Sequence, residues 1–123
     1  MRFIWMSAFG ALGANARYWL EGAISRRFPG AFPLGTFIVN VTGSFLLGFA
    51  FVLLTDRFPV SPAIRSGIMI GFIGAYTTFS TLTFETLRLF QDGAVLTGVA
   101  NAAGSLLIGL VAVYFGTVAG RAL

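Results

Sequence analysis

The sequence predicts an all-α membrane protein with four transmembrane helices. Three observations indicate this class: 57% of the 123 residues are hydrophobic, 10% are charged, and the mean hydropathy is +0.89. A soluble domain mixes about 25% charged residues into its sequence. The chain also has no cysteine and no histidine, which excludes disulfides, thiol chemistry and the commonest metal ligand.

The four spans follow from apolar runs about as long as a bilayer is thick, since a transmembrane helix needs about 20 apolar residues. They are predicted at about residues 3–24, 34–55, 64–90 and 94–120. The first span is interrupted by Arg17 and Glu21, whereas residues 34–55, 66–84 and 94–120 carry no charge. Because the connections are too short for a soluble domain, residues 1–123 are predicted to form one transmembrane domain.

The arginines are divided evenly between the two predicted ends. One end receives Arg2, Arg57, Arg65 and Arg121, and the other Arg17, Arg26, Arg27 and Arg88. Cytoplasmic loops normally carry the excess of basic residues, so this balance predicts insertion in both orientations. A chain that inserts both ways can pair antiparallel with itself; the alternative is that a partner or unequal weighting of the sites fixes one orientation. The scattered arginines form no basic patch, which argues against nucleic-acid binding.

The second and fourth spans carry matching polar faces. Residues spaced by four share a helix face, and the two faces consist of Thr36, Asn40, Ser44 and Gly48, and of Thr97, Asn101, Ser105 and Gly109. Small and hydroxyl residues commonly pack helices together in lipid, but an asparagine amide needs hydrogen-bond partners in hydrocarbon. Each face is therefore either a packing surface or, at its asparagine, the wall of a polar path.

The middle of the third span is unusual for a helix. Residues 71–83 are dense in Gly, Thr and Ser, which weaken a helix or compete for its backbone hydrogen bonds. A break in this span would free carbonyl and amide groups that can bind ions, and such a backbone must be buried in protein or line a cavity. The alternative is a continuous helix with a small-residue packing face.

Three stretches of the chain resemble the Fluc/CrcB family of fluoride channels. They are GFIGAYTTFST at residues 71–81, GTFIVNVTGSFLLG at residues 35–48 and GANARY at residues 13–18. Length, four spans and balanced charge agree with this family over the whole chain. The resemblance implies an antiparallel, dual-topology homodimer in the cell inner membrane, with a third helix broken near the membrane centre. Such a dimer would export fluoride passively from the cytoplasm through two pores and so lower fluoride toxicity.

The resemblance also implies which residues contact the ions. A structural sodium ion at the dimer interface would be bound by the backbone carbonyls of Gly74 and Thr77 from both subunits. The fluoride pore would be lined by Asn40, Phe79, Ser80, Thr81, Asn101 and Ser105. Arg17 and Glu85 match residues near the pore mouths. For Glu85, a local ion pair with Arg88 is the alternative.

Two positions depart from the family pattern. Leu82 stands at the second pore phenylalanine, so one of the aromatic fluoride contacts is in question, and Ala75 stands where the family often has glycine. The remaining residues suit fluoride, because Asn, Ser and Thr are neutral hydrogen-bond donors that can replace its water. The positive ring edge of Phe79 can also face an anion.

Other classes of function find less support in the sequence. A proton-coupled exporter of lipophilic cations would need a carboxylate in the middle of an early helix, and the first two helices have none there. A non-transporting subunit of a larger membrane complex would not purify as a stable, active homodimer. An enzyme is not expected, because the sequence contains no nucleophile–base pair, metal cluster or phosphate loop.

Overall fold

The computed structural model describes all 123 residues, and every regular element is helical. In chain order the elements are α1 (Arg2–Arg27), α2 (Leu34–Val52), a π-helical segment (Leu53–Arg57), α3 (Pro62–Ser66), a second π-helical segment (Gly67–Ile73), α4 (Gly74–Tyr76), α5 (Phe79–Gln91) and α6 (Val95–Ala122). Residues 62–76 form the N-terminal half of the third span, and α5 forms its C-terminal half.

Three helical stretches are long and apolar enough to cross a membrane. They are Leu34–Arg57, Pro62–Gln91 and Val95–Ala122, with mean hydropathies of 2.2, 1.3 and 1.9. The all-α prediction is therefore confirmed. Helix α1 is 26 residues long, but it carries Arg2, Arg17, Glu21, Arg26 and Arg27 and is less apolar. That α1 is a fourth span stays a prediction.

The outer surface of the molecule is apolar, as expected of a protein that faces lipid. Only 20 of the 123 residues are buried, and large aliphatic side chains point outward, for example Leu96 at 83% exposure and Leu106 at 65%. Soluble monomers rarely expose apolar surface on this scale. Four polar residues point inward and are buried: Thr36, Thr86, Asn101 and Ser105, with Asn101 at 0% exposure.

Helices α2 and α6 run parallel with their backbones in direct contact. Gly116 on α6 lies against the Phe45 carbonyl, and Gly48 on α2 lies against the Val113 carbonyl, so a methyl group at either glycine would overlap the opposite backbone. Close approach at small residues is the usual way in which helices pack in lipid, where no hydrophobic effect drives them together. Helices α2 and α6 therefore form the most extensive helix–helix contact of the fold.

The two halves of the third span pack against different helices. The N-terminal half lies along α1, where an added Cβ at Gly71 would stand 2.7 Å from the Met6 carbonyl oxygen. The C-terminal half, α5, instead packs antiparallel on α6, with the Phe90 ring against Gly98. The chain between the two halves therefore lies where the packing partner changes from α1 to α6.

The turn between α5 and α6 sets their antiparallel arrangement. Gly93 has φ +82°, the left-handed conformation that glycine adopts without steric cost. Its N–H bonds the Phe90 carbonyl at 3.1 Å, and the Ala94 N–H bonds the Leu89 carbonyl at 2.8 Å. This pattern is the Schellman motif that ends a helix, and it turns the chain back so that α6 can pack on α5.

Candidate functional site

The third span is broken at Thr77 and Thr78, which we call the break. Thr77 has φ −89° and ψ 158°, and Thr78 has φ −150° and ψ 116°, so both residues are extended between two helices. The Thr78 hydroxyl accepts a hydrogen bond from the Thr81 backbone N–H at 3.2 Å and so caps α5. The structure therefore has the break predicted from residues 71–83, and not the continuous helix.

Asn40 on α2 replaces the hydrogen bonds that the break removes. Its Nδ2 donates to the Thr78 carbonyl at 3.0 Å, and its Oδ1 accepts from the Thr78 N–H at 2.8 Å. Both backbone groups of Thr78 are thus satisfied by one side chain, as a neighbouring strand would satisfy them. This geometry explains why extended backbone is stable inside a helical protein.

A second contact from α2 holds the residue before the break. The Tyr76 hydroxyl lies 2.8 Å from the Thr42 hydroxyl, which itself donates to the Ile38 carbonyl at 2.7 Å. Tyr76 is therefore the donor in this pair. Its side chain is 6% exposed, and Gly43 leaves space for the Tyr76 ring and the Thr77 methyl group. Residues 40–43 of α2 thus lie alongside residues 76–78 of the third span.

The break leaves backbone oxygens free for other partners. The carbonyls of Gly74 and Thr77, the predicted sodium ligands, accept no hydrogen bond within the chain. The intervening Ala75 carbonyl accepts one from Arg17 Nε at 3.2 Å. Gly74 is exposed on the surface, so its carbonyl is accessible to a ligand or to a second copy of the chain.

A cavity of about 640 Å³ lies beside the break, and we call it the larger cavity. It contains four of the predicted ion-contacting residues: Asn40, Thr77, Phe79 and Ser105. Leu82, which replaces the second family phenylalanine, lies in the same wall. Phe79 is 78% exposed, so its ring edge is free to meet a ligand. The structure therefore brings together residues from α2, α5 and α6 that the sequence places far apart.

A smaller cavity of about 370 Å³ lies where α1 ends and α2 begins. Its wall includes the predicted Thr81 and Glu85, together with Glu21, Arg26 and Thr36. Glu85 Oε1 is buried there without a hydrogen-bond partner. Six of the ten predicted site residues thus line one of two cavities, both of which α5 borders.

Asn101 and Ser105 are buried between α5 and α6. Asn101 Nδ2 donates to the Thr86 hydroxyl at 3.0 Å, whereas its Oδ1 and the Ser105 hydroxyl have no partner. Sequence reasoning does not identify Thr86, because this contact depends on antiparallel packing that spacing along one helix does not reveal. Two buried polar atoms are thus left unpaired, which is the exception in native structures.

Two further predicted residues, Ser80 and Arg17, have distinct surroundings. Ser80 is exposed and lines neither cavity, with its hydroxyl 3.5 Å from that of Thr78. Arg17 lies against the break through the Ala75 carbonyl and forms an ion pair with Glu21 at 3.6 Å. No ion pair joins Glu85 and Arg88 in the structure; the Arg88 guanidinium lies 6.0 Å from the ring centroid of Phe84.

Apolar helices around a polar break define a multi-pass membrane protein with an internal polar site. The chain belongs to the CrcB family: the family described as "CrcB-like protein, Camphor Resistance (CrcB)" matches residues 4–117. This finding confirms the resemblance seen in the three motifs.

Individual relatives match over the full length of the chain. It is 48% identical over 121 residues to "Fluoride-specific ion channel FluC" of Acidobacterium capsulatum, which covers 98% of this chain and 97% of that one. A protein of the same name from Nitratidesulfovibrio vulgaris is 44% identical, with 98% and 97% covered. One from Solibacter usitatus is 40% identical, with 98% and 99% covered.

Proposed function

We propose that this chain is a fluoride-selective channel of the cell inner membrane. It lets fluoride leave the cytoplasm passively and so lowers fluoride toxicity; it is a channel and not an enzyme. The observation that carries this proposal is the relationship to proteins named fluoride-specific ion channels, which reaches 48% identity over 98% of the chain. The hydrogen-bond donors that line the two cavities also support the proposal.

Small neutral donors line part of each cavity. Fluoride is strongly hydrated, so a pore must replace its water with donors such as the Asn40 amide and the hydroxyls of Thr81 and Ser105. The ring edge of Phe79 adds a weakly positive surface. The first N–H groups of α5 have no intrahelical acceptor and carry the positive end of the helix dipole. Neutral donors also bind an anion weakly enough to release it, which conduction requires.

The working unit is proposed to be an antiparallel homodimer of four-span subunits. The even division of the arginines supports insertion in both orientations. The exposed Gly74 supports pairing, because the free carbonyl of this residue would otherwise face lipid. A second copy of the chain would cover the break and close the larger cavity.

The carbonyls at the break fit a sodium ion. Gly74 and Thr77 offer unpaired carbonyl oxygens, and two copies of the chain would offer four, the hard oxygen ligands that such a cation prefers. A bound cation would add fixed positive potential near the anion path. Thr77→Ser preserves the carbonyl and should retain sodium-dependent thermal stability of the purified protein. Loss of that dependence in Thr77→Ser would mean that the side chain binds the ion.

Fluoride efflux from liposomes tests the proposed function. Purified protein is reconstituted, and fluoride release is measured with and without a potassium ionophore, with chloride-loaded liposomes as the control. Rapid fluoride release that requires the ionophore, without chloride release, is expected of a selective passive channel. Absence of release from correctly folded protein would contradict the proposal.

A further inference from the structure

Glu21 is the centre of a chain of contacts that links the smaller cavity to the break. Its Oε1 accepts from the Thr36 hydroxyl at 3.2 Å, and its Oε2 lies 3.6 Å from Arg17 Nη1. Arg17 in turn donates to the Ala75 carbonyl at 3.2 Å. One carboxylate therefore holds both a hydroxyl in the cavity wall and the guanidinium that caps the N-terminal half of the third span.

The wall of the smaller cavity contains more acidic than basic side chains, which is unusual for a site that an anion is proposed to enter. Its wall contains two carboxylates, Glu21 and Glu85, and one guanidinium, Arg26, whose Nη1 lies close to Gly22. Arg17 lies behind Glu21 and is paired with it. The negative charge of Glu21 thus repels an anion in the cavity and also offsets the positive charge of Arg17.

Glu21 also removes a donor from the cavity. Thr36 is 4% exposed, and its hydroxyl hydrogen points to Glu21. Without Glu21, the same hydroxyl could donate to Glu85, the other carboxylate of this wall, or to an anion that contacts Thr81 across the cavity. Repulsion, neutralisation of Arg17 and occupation of Thr36 all act in one direction, because each lowers the affinity of the cavity for an anion.

We infer that Glu21 sets the fluoride affinity of the smaller cavity and keeps it low enough for release. Glu21 is a positioning residue in this role, because it acts through Arg17 and Thr36 and through its charge. The inference rests on the proposed function. It assigns to Glu21 a role that the resemblance does not imply, since the family motif in the first helix ends before this position.

The substitution Glu21→Gln tests the inference, because it removes the charge. It keeps one oxygen that can accept from Thr36, while an amide nitrogen, which cannot accept from Arg17, replaces the other oxygen. Fluoride current across planar bilayers is measured against fluoride concentration at constant sodium. The half-saturating fluoride concentration should fall about three- to tenfold, the size expected for one unit charge at a partly hydrated site. The shift should shrink at high ionic strength, where charges are screened.

Two matched variants control for charge and position. Arg26→Gln removes a positive charge from the same cavity and should raise the half-saturating concentration. Asp56→Asn removes a carboxylate from the π-helical segment after α2, outside both cavities, and should leave the half-saturating concentration unchanged. If Glu21→Gln does not yield folded protein, Glu21→Ser removes the same charge with a smaller side chain. Gel filtration and thermal melting establish folding for every variant.

Each outcome supports or overturns the inference. A lower half-saturating concentration in Glu21→Gln and a higher one in Arg26→Gln would support it. An unchanged half-saturating concentration, or a loss of maximal current alone, would show that Glu21 has only a structural role. Absence of fluoride current in the unmodified protein would instead overturn the proposed function itself.

Discussion

A single side chain, Asn40, stabilises the most irregular backbone of the molecule. It both donates to and accepts from Thr78, at 3.0 and 2.8 Å, and it lines the larger cavity. The polar face of α2 to which Asn40 belongs is predicted from the sequence to be either a packing surface or the wall of a polar path. Asn40 serves both purposes, because it packs on the break and also lines the larger cavity. An amide is required here, because only Asn or Gln presents a donor and an acceptor side by side.

Replacing Asn40 by Asp should abolish fluoride flux and lower stability. The carboxylate retains the acceptor for the Thr78 N–H, but it places an oxygen against the Thr78 carbonyl and a negative charge in an anion path. Leaving a buried carbonyl unpaired costs about 1–3 kcal/mol. Liposome flux and thermal melting in detergent measure the two effects.

The control for this prediction is Asn15→Asp. Asn15 is exposed, and its Nδ2 bonds the Ala11 carbonyl of its own helix at 2.7 Å, so the same chemical change should alter melting little. Equal effects of the two substitutions would mean that the Asn40 contact with the break is unimportant.

Tyr76 and Thr42 should be energetically coupled. Tyr76→Phe and Thr42→Val each remove one partner of the 2.8 Å hydrogen bond, and such a bond contributes about 0.5–1.5 kcal/mol. A double-mutant cycle on thermal stability measures the coupling. Thr117→Val is the control for the hydroxyl, because Thr117 bonds the Tyr114 carbonyl of its own helix. Additive effects of Tyr76→Phe and Thr42→Val would contradict the contact.

At the scale of elements, the break lies where the third span changes the helix on which it packs. Its N-terminal half packs on α1 and its C-terminal half on α6. The Gly, Thr and Ser content of residues 71–83 predicts that this stretch is a weak helix. It does not identify Thr77 and Thr78 as the extended residues, because the contacts that select them come from Asn40 and Thr42, which are distant in sequence.

The α2–α6 contact should be sensitive to a methyl group at one glycine and tolerant at another. In Gly116→Ala the new Cβ would overlap the Phe45 backbone, whereas in Gly109→Ala it would lie 3.5 Å from the Ser44 hydroxyl oxygen, an ordinary contact. Both glycines are on α6 and face α2, so helix propensity favours alanine equally at the two positions.

The readout for this pair is the yield and melting temperature of the purified protein. Gly116→Ala should lose folded protein or melt well below the unmodified chain, while Gly109→Ala should melt close to it. A Gly116→Ala variant as stable as Gly109→Ala would show that α2 and α6 are not in backbone contact.

At the scale of the whole molecule, composition predicts much of the fold and little of the site. The apolar runs predict the helices, because a bilayer imposes one length and one hydrogen-bonding solution on each span. The motifs contain part of the lining of each cavity, for example Asn40 and Phe79 in the larger one and Thr81 in the smaller one. They do not reveal the roles of Glu21, Tyr76 and Thr86, since each depends on which helix lies opposite.

Orientation in the membrane can be tested with a single introduced thiol, because the chain has no cysteine. Gly30 is exposed in the connection before α2 and has open space around it, and Gly30→Cys leaves the charge balance intact. If both orientations are inserted, a membrane-impermeant maleimide added to intact cells should label roughly half of the protein. Permeabilising the cells should then label the rest, whereas complete labelling or none in intact cells would mean a single orientation.

The hydrogen bonds of Asn40 have a consequence for biogenesis. Because a neighbouring helix supplies the partners of Thr78, the third span by itself would satisfy its backbone better as one unbroken helix. A ribosome makes α2 before it makes the third span, so the amide that opens the helix is already in the bilayer when that span arrives. The opening of the third span is then a step of tertiary docking in lipid, and it requires α2 as the packing partner.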